Sequence, residues 1–249
     1  MAGAAISTIK QILCRTVGDT VYGRASVAKK AVKMLVRRVR GLEPTRRVQF
    51  RCPIASAGYA VCPSPIREGG TVYSFGIGHD VSFERAMVQR FGLQVHLFDP
   101  TPEALEWLRS QSLPPGAHVL PYGLADYDGE AVFHSKEDPR NPNWSMAWQP
   151  SAAPHTATCQ VRRLTTLMQM LGHRELEILK MDIEGMEYRA LKDILAQDVP
   201  IRQMVMEFHH RLPMFGREST EEAIRLLNEK GYRIFHVSAT EPEYSFIRS

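Results

Sequence analysis

The stretch "TVYSFGIGHDVSFE", residues 71–84, lies at the point that decides the fold. Its first half is an apolar run with aromatic and β-branched residues, which is typical of a buried strand. Gly76 and Gly78 follow as a bare turn, and the polar residues after them begin a helix. A strand that passes through glycines into a helix N-terminus is typical of a doubly wound α/β sheet, in which ligands bind at that turn. The stretch therefore predicts a Rossmann-like α/β fold with a binding site beside the glycines.

Downstream of this stretch, short apolar strands alternate with amphipathic helices. The alternation favours a mostly parallel sheet with helices on both faces. The segment "LEILKMDIEG" (176–185) is the most apolar of the strands, so we expect it at the centre of the sheet. The chain ends differently, because "YRIFHVS" (232–238) and "EYSFIR" (243–248) have no helix between them and predict an antiparallel hairpin. We expect a seven-stranded, mostly parallel sheet that ends in this hairpin.

Charge divides the chain of 249 residues into two parts. Residues 1–48 hold eleven Lys and Arg against two acids, a net charge of +9, whereas residues 49–249 sum to about −5. With 44% hydrophobic residues, the chain is long enough to bury one sizeable core. We therefore expect a basic N-terminal segment over residues 1–48 and one folded domain over residues 49–249.

The basic segment contains "SVAKKAVKMLVRRVRG" (26–41), in which apolar residues recur near helical spacing between Lys and Arg. This pattern predicts a basic amphipathic helix. Four interpretations of it stay open: a solvated helix packed on the body, a peripheral membrane contact, a nucleic-acid contact, and an organelle transit peptide.

The same segment bears on the expected location. No apolar run approaches the roughly 18 to 20 residues of a transmembrane helix. The segment also lacks the compact apolar region and small-residue cleavage site of a secretory signal. Four cysteines show no paired spacing, which is typical of reduced structural thiols. We expect a cytoplasmic-type, intracellular location, with organelle targeting or membrane-surface association through residues 1–48 left open.

The residues around the glycine turn indicate which ligand binds there. Asp99 ends the second strand, 21 residues after Gly78, where a carboxylate accepts hydrogen bonds from the ribose hydroxyls of a nucleoside. Asp80 follows the turn directly, and its charge would repel the pyrophosphate of a dinucleotide. S-adenosylmethionine has no phosphate and carries a sulfonium and an ammonium, which a carboxylate attracts. The pattern therefore favours S-adenosylmethionine over NAD.

Five pieces of sequence occur in an order that resembles a known family: "VYSFGIGHDVSFE", "VHLFDPTPE", "GLADYDGEAVF", "LKMDIEGMEYRAL" and "MVMEFHH". Across about residues 70–249 they resemble the FkbM-type family of S-adenosylmethionine-dependent methyltransferases. The resemblance implies a class I methyltransferase fold and transfer of a methyl group to a hydroxyl of a sugar or natural product. The chain departs from the family pattern at Ser74, where an Asp is common, and at Asp80, where a further Gly is common.

The expected cofactor contacts come from the glycine turn and from the ends of the strands. Asp126 follows the third strand, where it either accepts from the adenine amine or begins the Asp128-Gly129 turn. The full set of predicted contacts is Ser74, Phe75, Gly76, Gly78, Asp80, Ser82, Asp99, Asp126 and Asp182.

The residues expected to act on the acceptor are Asp182, Glu207 and His209, which end two neighbouring strands about 4.8 Å apart. As a direct base, His209 would titrate in the ordinary histidine range near about 6.5. The same three side chains alternatively hold a divalent metal that positions the acceptor oxygen. Glu187 is expected to be a first-turn helix residue that interacts with the helix dipole.

Residues 136–158 are rich in Pro, Asn, Ser and Ala and predict a long loop. Trp144, Met146 and Trp148 on this loop are candidates for a lid over the acceptor. The tetrapeptide at 141–144, "NPNW", resembles the motif of amine methyltransferases, but it falls outside the strand end where that motif belongs and is interpreted as a turn.

Three classes of function remain in view. The ordered strand-end motifs favour a methyltransferase acting on a hydroxyl of a small molecule or glycan. A nucleic-acid methyltransferase guided by residues 1–48 is the second class, because a basic segment contacts phosphates. A non-catalytic cofactor-binding module on the same fold is the third.

Overall fold

The computed structural model describes residues 34–135, 144–147, 155–239 and 242–249. The chain forms two compact units, Met1–Glu43 and Pro44–Ser249, which divide five residues before the boundary that the charge suggested. The difference has a physical reason, because Thr45 and Gln49 already hydrogen-bond to the C-terminal strands of the second unit. The Tyr244 hydroxyl donates to the carbonyl of Thr45 at 3.0 Å, and the amide of Ile234 donates to Gln49 Oε1 at 2.9 Å.

The part of the first unit that is described consists of a helical turn at 34–39 and the residues after it. Arg37 pairs there with Glu43. The predicted helix at 26–41 lies partly outside the described residues. Nowhere in the described ranges does a helix have the length and apolar character needed to cross a membrane.

The second unit contains thirteen strands and five helices among the described residues. The strands are β1 (Ala55–Ala57), β2 (Tyr59–Val61), β3 (Thr71–Phe75), β4 (Gln94–Phe98), β5 (Ala117–Leu120), β6 (Gly123–Leu124), β7 (Gly129–Ser135), β8 (Trp144–Ser145), β9 (His155–Arg162), β10 (Leu176–Met181), β11 (Ile201–Glu207), β12 (Tyr232–Val237) and β13 (Glu243–Arg248). The helices are α1 (Ser82–Phe91), α2 (Pro102–Ser110), α3 (Leu164–Leu171), α4 (Glu187–Ala196) and α5 (Arg217–Glu229).

The main sheet has seven strands in the order β12-β13-β11-β10-β3-β4-β5. The five strands from β11 to β5 run parallel, whereas β13 is antiparallel to both β11 and β12. This is the α/β sheet with a terminal antiparallel hairpin that the alternation of elements predicted. The apolar strand β10 lies fourth of seven, and all six of its residues are buried.

Apolar side chains cover both faces of the main sheet, which explains why its inner strands lack polar alternation. One core packs α3, α4 and α5 against the face that carries Leu179 and Met181. A second core packs α1 and α2 against the opposite face, which carries Ile178 and Val205. The helices therefore lie on both faces, as a doubly wound sheet requires.

A smaller sheet, in the order β6-β9-β7-β8, occupies part of the region expected to be a loop. Residues 155–158 belong to β9 and pair antiparallel with β7, and residues 144–145 form β8. The prediction of an irregular segment over all of 136–158 was therefore wrong for these residues. The cause is long-range pairing, since a composition of Pro, Asn and Ser does not show that a distant strand is available.

Candidate active site

A cavity of about 340 Å³ opens at the edge of the main sheet where β3, β4 and β10 end. The register aligns Phe75 with both Met181 and Phe98, so the segments after these three strands meet there. The small sheet closes the opposite wall. Side chains and backbone lining the cavity come from Phe75, Gly76, Ile77, Gly78, His79, Asp80, Phe98, Asp99, Pro100, Thr101, Gly123, Leu124, Phe133, Trp144, Met146, Asp182, Ile183, Glu184 and Met186.

Gly76 begins the glycine turn, and its lack of a side chain is required by the neighbouring strand. Its φ is +74°, and a Cβ there would come within 1.6 Å of the carbonyl oxygen of Asp182. The amide of Asp182 in turn donates to the carbonyl of Phe75 at 3.1 Å. The glycine therefore brings the turn after β3 and the segment after β10 into direct backbone contact.

A buried ion pair lies beneath the glycine turn. Lys180 Nζ donates to the carbonyl of Gly76 at 3.0 Å and lies 3.7 Å from Glu84 Oε1. Ser74 Oγ donates to the same carboxylate at 2.5 Å. Ser74 is fully buried and does not line the cavity, so the structure places this predicted cofactor contact under the turn rather than beside a ligand.

Asp99 is buried and its carboxylate is fully engaged by the protein. Its Oδ2 accepts from the amides of Ile77 at 3.0 Å and Gly78 at 3.2 Å. Its Oδ1 accepts from the amide of Thr101 at 3.0 Å and from Thr101 Oγ1 at 2.7 Å. A carboxylate has about four acceptor sites, so a ribose hydroxyl at Asp99 would compete with contacts that hold the glycine turn.

The remaining predicted cofactor residues divide between the cavity and its surroundings. Asp80 lines the cavity, and its two oxygens accept from the amide of Ser82 at 2.8 Å and from Ser82 Oγ at 3.0 Å. Ser82 itself lies outside the lining. Asp126 also lies outside it and pairs with Arg189 on α4 at 3.0 Å. Of the nine predicted contacts, the cavity is lined by Phe75, Gly76, Gly78, Asp80, Asp99 and Asp182.

The structure brings two of the three predicted catalytic residues, Asp182 and His209, close together at the cavity wall. His209 Nε2 lies 3.9 Å from Asp182 Oδ1 and 3.5 Å from Glu184 Oε2. Asp182 and Glu184 line the cavity, whereas Glu207 and His209 do not. An acceptor molecule in the cavity would therefore contact Asp182, and His209 lies behind Asp182.

Glu187 is the member of this cluster that the sequence did not place beside His209. It begins α4, as expected of a first-turn acid, but its carboxylate turns back toward the strand ends. The oxygens accept from the amides of Ile183 at 2.8 Å and Gly185 at 2.9 Å, and one lies 3.0 Å from His209 Nδ1. That last contact is an ion pair without the linear geometry of a good hydrogen bond. Glu187 thereby shapes the turn that presents Glu184, whose φ is +53°.

Charge around His209 changes its expected protonation state. Burial alone would lower the pKa of His209, but the carboxylates of Glu187, Glu184 and Asp182 outweigh burial and raise it to about 10. This shift does not fit the direct-base alternative, in which His209 would titrate near about 6.5, and the sequence did not show how many carboxylates surround the ring. A pKa of about 10 favours the imidazolium form of His209 at neutral pH, which has no free nitrogen lone pair with which to take a proton from an acceptor.

The pKa of Glu207 is shifted in the direction that favours its neutral acid form. Burial, followed by the charge of Asp182, raises the pKa of Glu207 to about 8, although the charge of His209 opposes the rise. At neutral pH this shift favours the neutral carboxylic acid. Among the predicted catalytic residues, this leaves Asp182 as the acid that borders the cavity.

The structure also changes which residues could hold the divalent metal of the alternative mechanism. Asp182, Glu187 and His209 each offer a donor atom within 4.8 Å of one another, and Glu187 rather than Glu207 completes this group. Both oxygens of Glu187 already accept amide hydrogen bonds, so an ion would have to share them.

The structure describes two of the three candidate lid residues. Trp144 and Met146 line the cavity, and Trp148 lies outside the described residues. Ser145 ties the lid strand to the strand ends, because its hydroxyl donates to the carbonyl of Glu184 at 2.6 Å. The indole N–H of Trp144 has no acceptor among the described residues, although the side chain is only 8% exposed.

Comparisons of sequence place this geometry in context. A family model described as the methyltransferase FkbM domain matches residues 62–234. The chain is 27% identical over 175 residues to the probable methyltransferase-like protein 24 of Homo sapiens, covering 66% of this chain and 42% of that protein. It is 28% identical over 177 residues to the protein of that name from Rattus norvegicus, with the same coverage. The chain thus spans less than half the length of these curated relatives.

The chain resembles solved structures, but at low sequence identity and low TM-score. The Methanococcus jannaschii fibrillarin pre-rRNA processing protein matches with a TM-score of 0.45 and 9% identity, covering 77% of this chain and 71% of that one. A methyltransferase from Pyrococcus furiosus matches with a TM-score of 0.40 and 10% identity, covering 91% and 98%. Likenesses at this level carry no argument about activity.

Proposed function

Because the chain belongs to the methyltransferase FkbM domain family, as its ordered motifs predicted, we propose that it transfers a methyl group from S-adenosylmethionine to a hydroxyl of a small molecule or glycan. The observation that carries the choice of cofactor is the charge of the cavity. Four acids line it, Asp80, Asp99, Asp182 and Glu184, and none of the lining residues that the structure describes is Lys or Arg. Such a wall attracts a sulfonium and an ammonium and repels a pyrophosphate.

The rest of the cavity also fits this cofactor. Phe98, Leu124 and Phe133 supply an apolar wall of the kind against which a purine packs. The indole N–H of Trp144, which has no acceptor among the described residues, is a donor suited to a nucleoside nitrogen or oxygen. These features support a nucleoside with a cationic tail.

Methyl transfer to a hydroxyl requires alignment and the removal of one proton. The cofactor supplies a methyl group already activated by its sulfonium. The acceptor oxygen would form the new bond to this carbon as the sulfur–carbon bond breaks, with the electron pair of the broken bond going to sulfur. We assign the acceptor's proton to the carboxylate of Asp182, because Asp182 is a residue that lines the cavity. His209, 3.9 Å from Asp182 Oδ1, balances the charge of Asp182.

Calorimetry tests the choice of cofactor. The full chain should bind S-adenosylmethionine and S-adenosylhomocysteine and should not bind NAD at the same concentration. Asp182→Asn should keep binding to the homocysteine form, because that ligand carries no sulfonium. Binding of NAD in preference to S-adenosylmethionine would contradict the proposal and favour a dehydrogenase.

A screen with a tritiated methyl group tests the acceptor class. Sugars and hydroxylated small molecules should accept the label, and RNA and DNA should not. If cofactor binds and no acceptor is labelled across a broad screen, the non-catalytic binding module is favoured instead.

A nucleic-acid acceptor is the second candidate, and the net charge of +9 over residues 1–48 is the observation that favours it. Phosphate contacts would give an affinity that falls steeply with salt. Loss of salt-sensitive RNA binding on deletion of residues 1–43, with cofactor affinity retained, would support this candidate over a glycan acceptor.

A further inference from the structure

Tyr59 reaches the proposed site from outside the segment that the family model matches, which begins at residue 62. Its side chain is only 9% exposed, and its hydroxyl donates to Asp182 Oδ2 at 3.0 Å. The other oxygen of Asp182 lies 3.9 Å from His209 Nε2. The carboxylate of Asp182, a residue that lines the cavity, therefore lies between the phenol of Tyr59 on one side and the imidazole ring of His209 on the other.

The β1–β2 hairpin that carries Tyr59 is attached to the strands beside the site. Ser245 Oγ on β13 donates to the carbonyl of Ala60 at 2.8 Å. The buried side chain of Gln203 on β11 accepts from the amide of Cys62 at 2.8 Å and donates to its carbonyl at 2.9 Å. These contacts determine where the backbone of Tyr59 lies relative to Asp182.

The ring of Tyr59 is held as firmly as its backbone. Phe83 on α1 packs edge-on against it, with centroids 5.8 Å apart. Lys180 Nζ lies 5.3 Å from the ring centroid and also donates to the carbonyl of Gly76. The ring thus contacts the lysine that supports the glycine turn, while its hydroxyl contacts the carboxylate after β10.

The hydroxyl of Tyr59 keeps its proton at neutral pH. Burial, followed by the charges of Asp182, Glu207 and Glu243, raises the pKa of Tyr59 well above its ordinary value. The phenol is therefore a hydrogen-bond donor to Asp182 and not a base.

We propose, on the premise of the methyltransferase function above, that Tyr59 is a positioning residue whose hydroxyl holds the Asp182 carboxylate toward the cavity. In that orientation the carboxylate faces both the sulfonium charge and the acceptor's proton. Without the hydroxyl, the carboxylate turns toward its remaining neighbour, the ring of His209 at 3.9 Å, and its attraction for the sulfonium weakens. A residue of the N-terminal hairpin thus completes a site whose other members lie within residues 62–234.

The test compares two ligands that differ by one methyl group and one positive charge. Calorimetry on the full chain gives the Kd of S-adenosylmethionine and of S-adenosylhomocysteine for the parent and for Tyr59→Phe. The ratio of the first Kd to the second should rise about three- to tenfold, because a hydrogen bond to a charged group is lost. The Kd of the homocysteine form should change by less than about twofold, since that ligand has no sulfonium.

Tyr232→Phe is the matched control, because it removes a buried tyrosine hydroxyl that donates to the carbonyl of Ile201 at 2.8 Å and does not line the cavity. It should lower the thermal midpoint by no more than Tyr59→Phe does, because its acceptor is uncharged, and leave the ratio of Kd values within about twofold of the parent. A purely structural role of Tyr59 would leave the ratio unchanged in both variants.

A double-mutant cycle assigns the effect to Asp182. In an Asp182→Asn background, Tyr59→Phe should not change the ratio further, because the two groups act through one interaction. A parent-like ratio in Tyr59→Phe, or an undiminished effect in the Asp182→Asn background, overturns the assignment to Tyr59. A parent chain that binds neither ligand overturns the proposed function, and this inference with it.

Discussion

The carbonyl oxygen of Asp182 occupies the space where a side chain on Gly76 would begin. A Cβ at residue 76 would come within 1.6 Å of that oxygen. The contact exists because β3 and β10 are neighbours whose last residues, Phe75 and Met181, are in register. The two segments that line the cavity therefore depend on each other for their position.

Gly76→Ala should destabilise the fold by about 3 kcal/mol or more, because the clash with Asp182 adds to the strain of a positive φ. Gly172→Ala is the matched control, since Gly172 has the same φ of +74° and nothing within 4 Å of an added Cβ. It should cost only about 1 to 2 kcal/mol. Equilibrium unfolding in urea measures both, and equal losses would show that the contact with Asp182 does not matter.

Asp99→Ala should weaken both the fold and the binding of cofactor. Removing its carboxylate leaves the amides of Ile77 and Gly78 without an acceptor, which costs about 1 to 3 kcal/mol per buried group. S-adenosylmethionine affinity should fall roughly ten- to hundredfold, from loss of the ribose contact, of the turn's shape, or of both.

Asp128→Ala provides the control for Asp99, because the exposed Asp128 accepts from the amide of Arg163 at 2.8 Å away from the cavity. It should cost about 1 kcal/mol of stability, as the loss of a helix cap does, and leave cofactor affinity unchanged. Parent-like cofactor binding in Asp99→Ala would show that neither the carboxylate nor the turn it holds matters for the ligand.

Glu187→Gln should lower the pKa of His209 from about 10 toward the ordinary histidine range, because the nearest carboxylate is neutralised. NMR titration of the ring protons measures this. Glu222→Gln, an equal charge change on the exposed face of α5, should leave the titration of His209 unchanged. A parent His209 that titrates near about 6.5 would contradict the ion-pair cluster.

The same shift predicts how His209 contributes to stability. The folded-state pKa of about 10 is above the unfolded value of about 6.5, so the folded protein binds the proton more tightly. The contribution is fully present below pH about 6.5 and is lost as the pH rises toward 10. Unfolding free energies of the parent and His209→Gln should therefore converge between those pH values, and a constant difference would contradict the prediction.

His96 should make the fold sensitive to acid. Burial, followed by the nearby rings of His173 and His118, lowers the pKa of His96 to about 4. Because the folded-state pKa is below the unfolded value of about 6.5, the contribution is full above that pH and is lost as the pH falls toward 4. His96→Phe, which keeps an aromatic ring against Tyr73, should flatten the pH dependence of unfolding between 6.5 and 4. An unchanged slope would locate the acid sensitivity elsewhere.

A chelator should leave the protein unchanged. We expect the His209 imidazolium and the amide contacts of Glu187 to satisfy the acidic cluster without an ion. The thermal midpoint and the cofactor affinity should be the same with and without EDTA. A fall of several degrees in EDTA, reversed by a divalent ion, would instead favour the metal alternative.

Local sequence patterns were sufficient to predict the architecture. The glycines at 76 and 78, the alternation of strands and helices, and the unbroken apolar run at 176–181 are encoded within short windows, where side-chain period and turn chemistry decide the element. The terminal hairpin followed from the absence of a helix between its strands. The same windows also placed Asp182 at a strand end beside the glycine turn, because the carboxyl ends of parallel strands meet at one edge.

Tertiary structure decided which side chains meet at that edge. Tyr59 lies 123 residues from the carboxylate to which it donates, Asp126 pairs with Arg189, and Glu187 turns back from its helix to the turn before it. The charge state of His209 depends on three carboxylates in the separate stretch 182–187, which the fold brings within 3.9 Å of its ring nitrogens. Such contacts depend on strand order, register and side-chain direction across the whole sheet. Sequence periodicity carries no information about a partner more than a few turns away, so only the folded chain determines them.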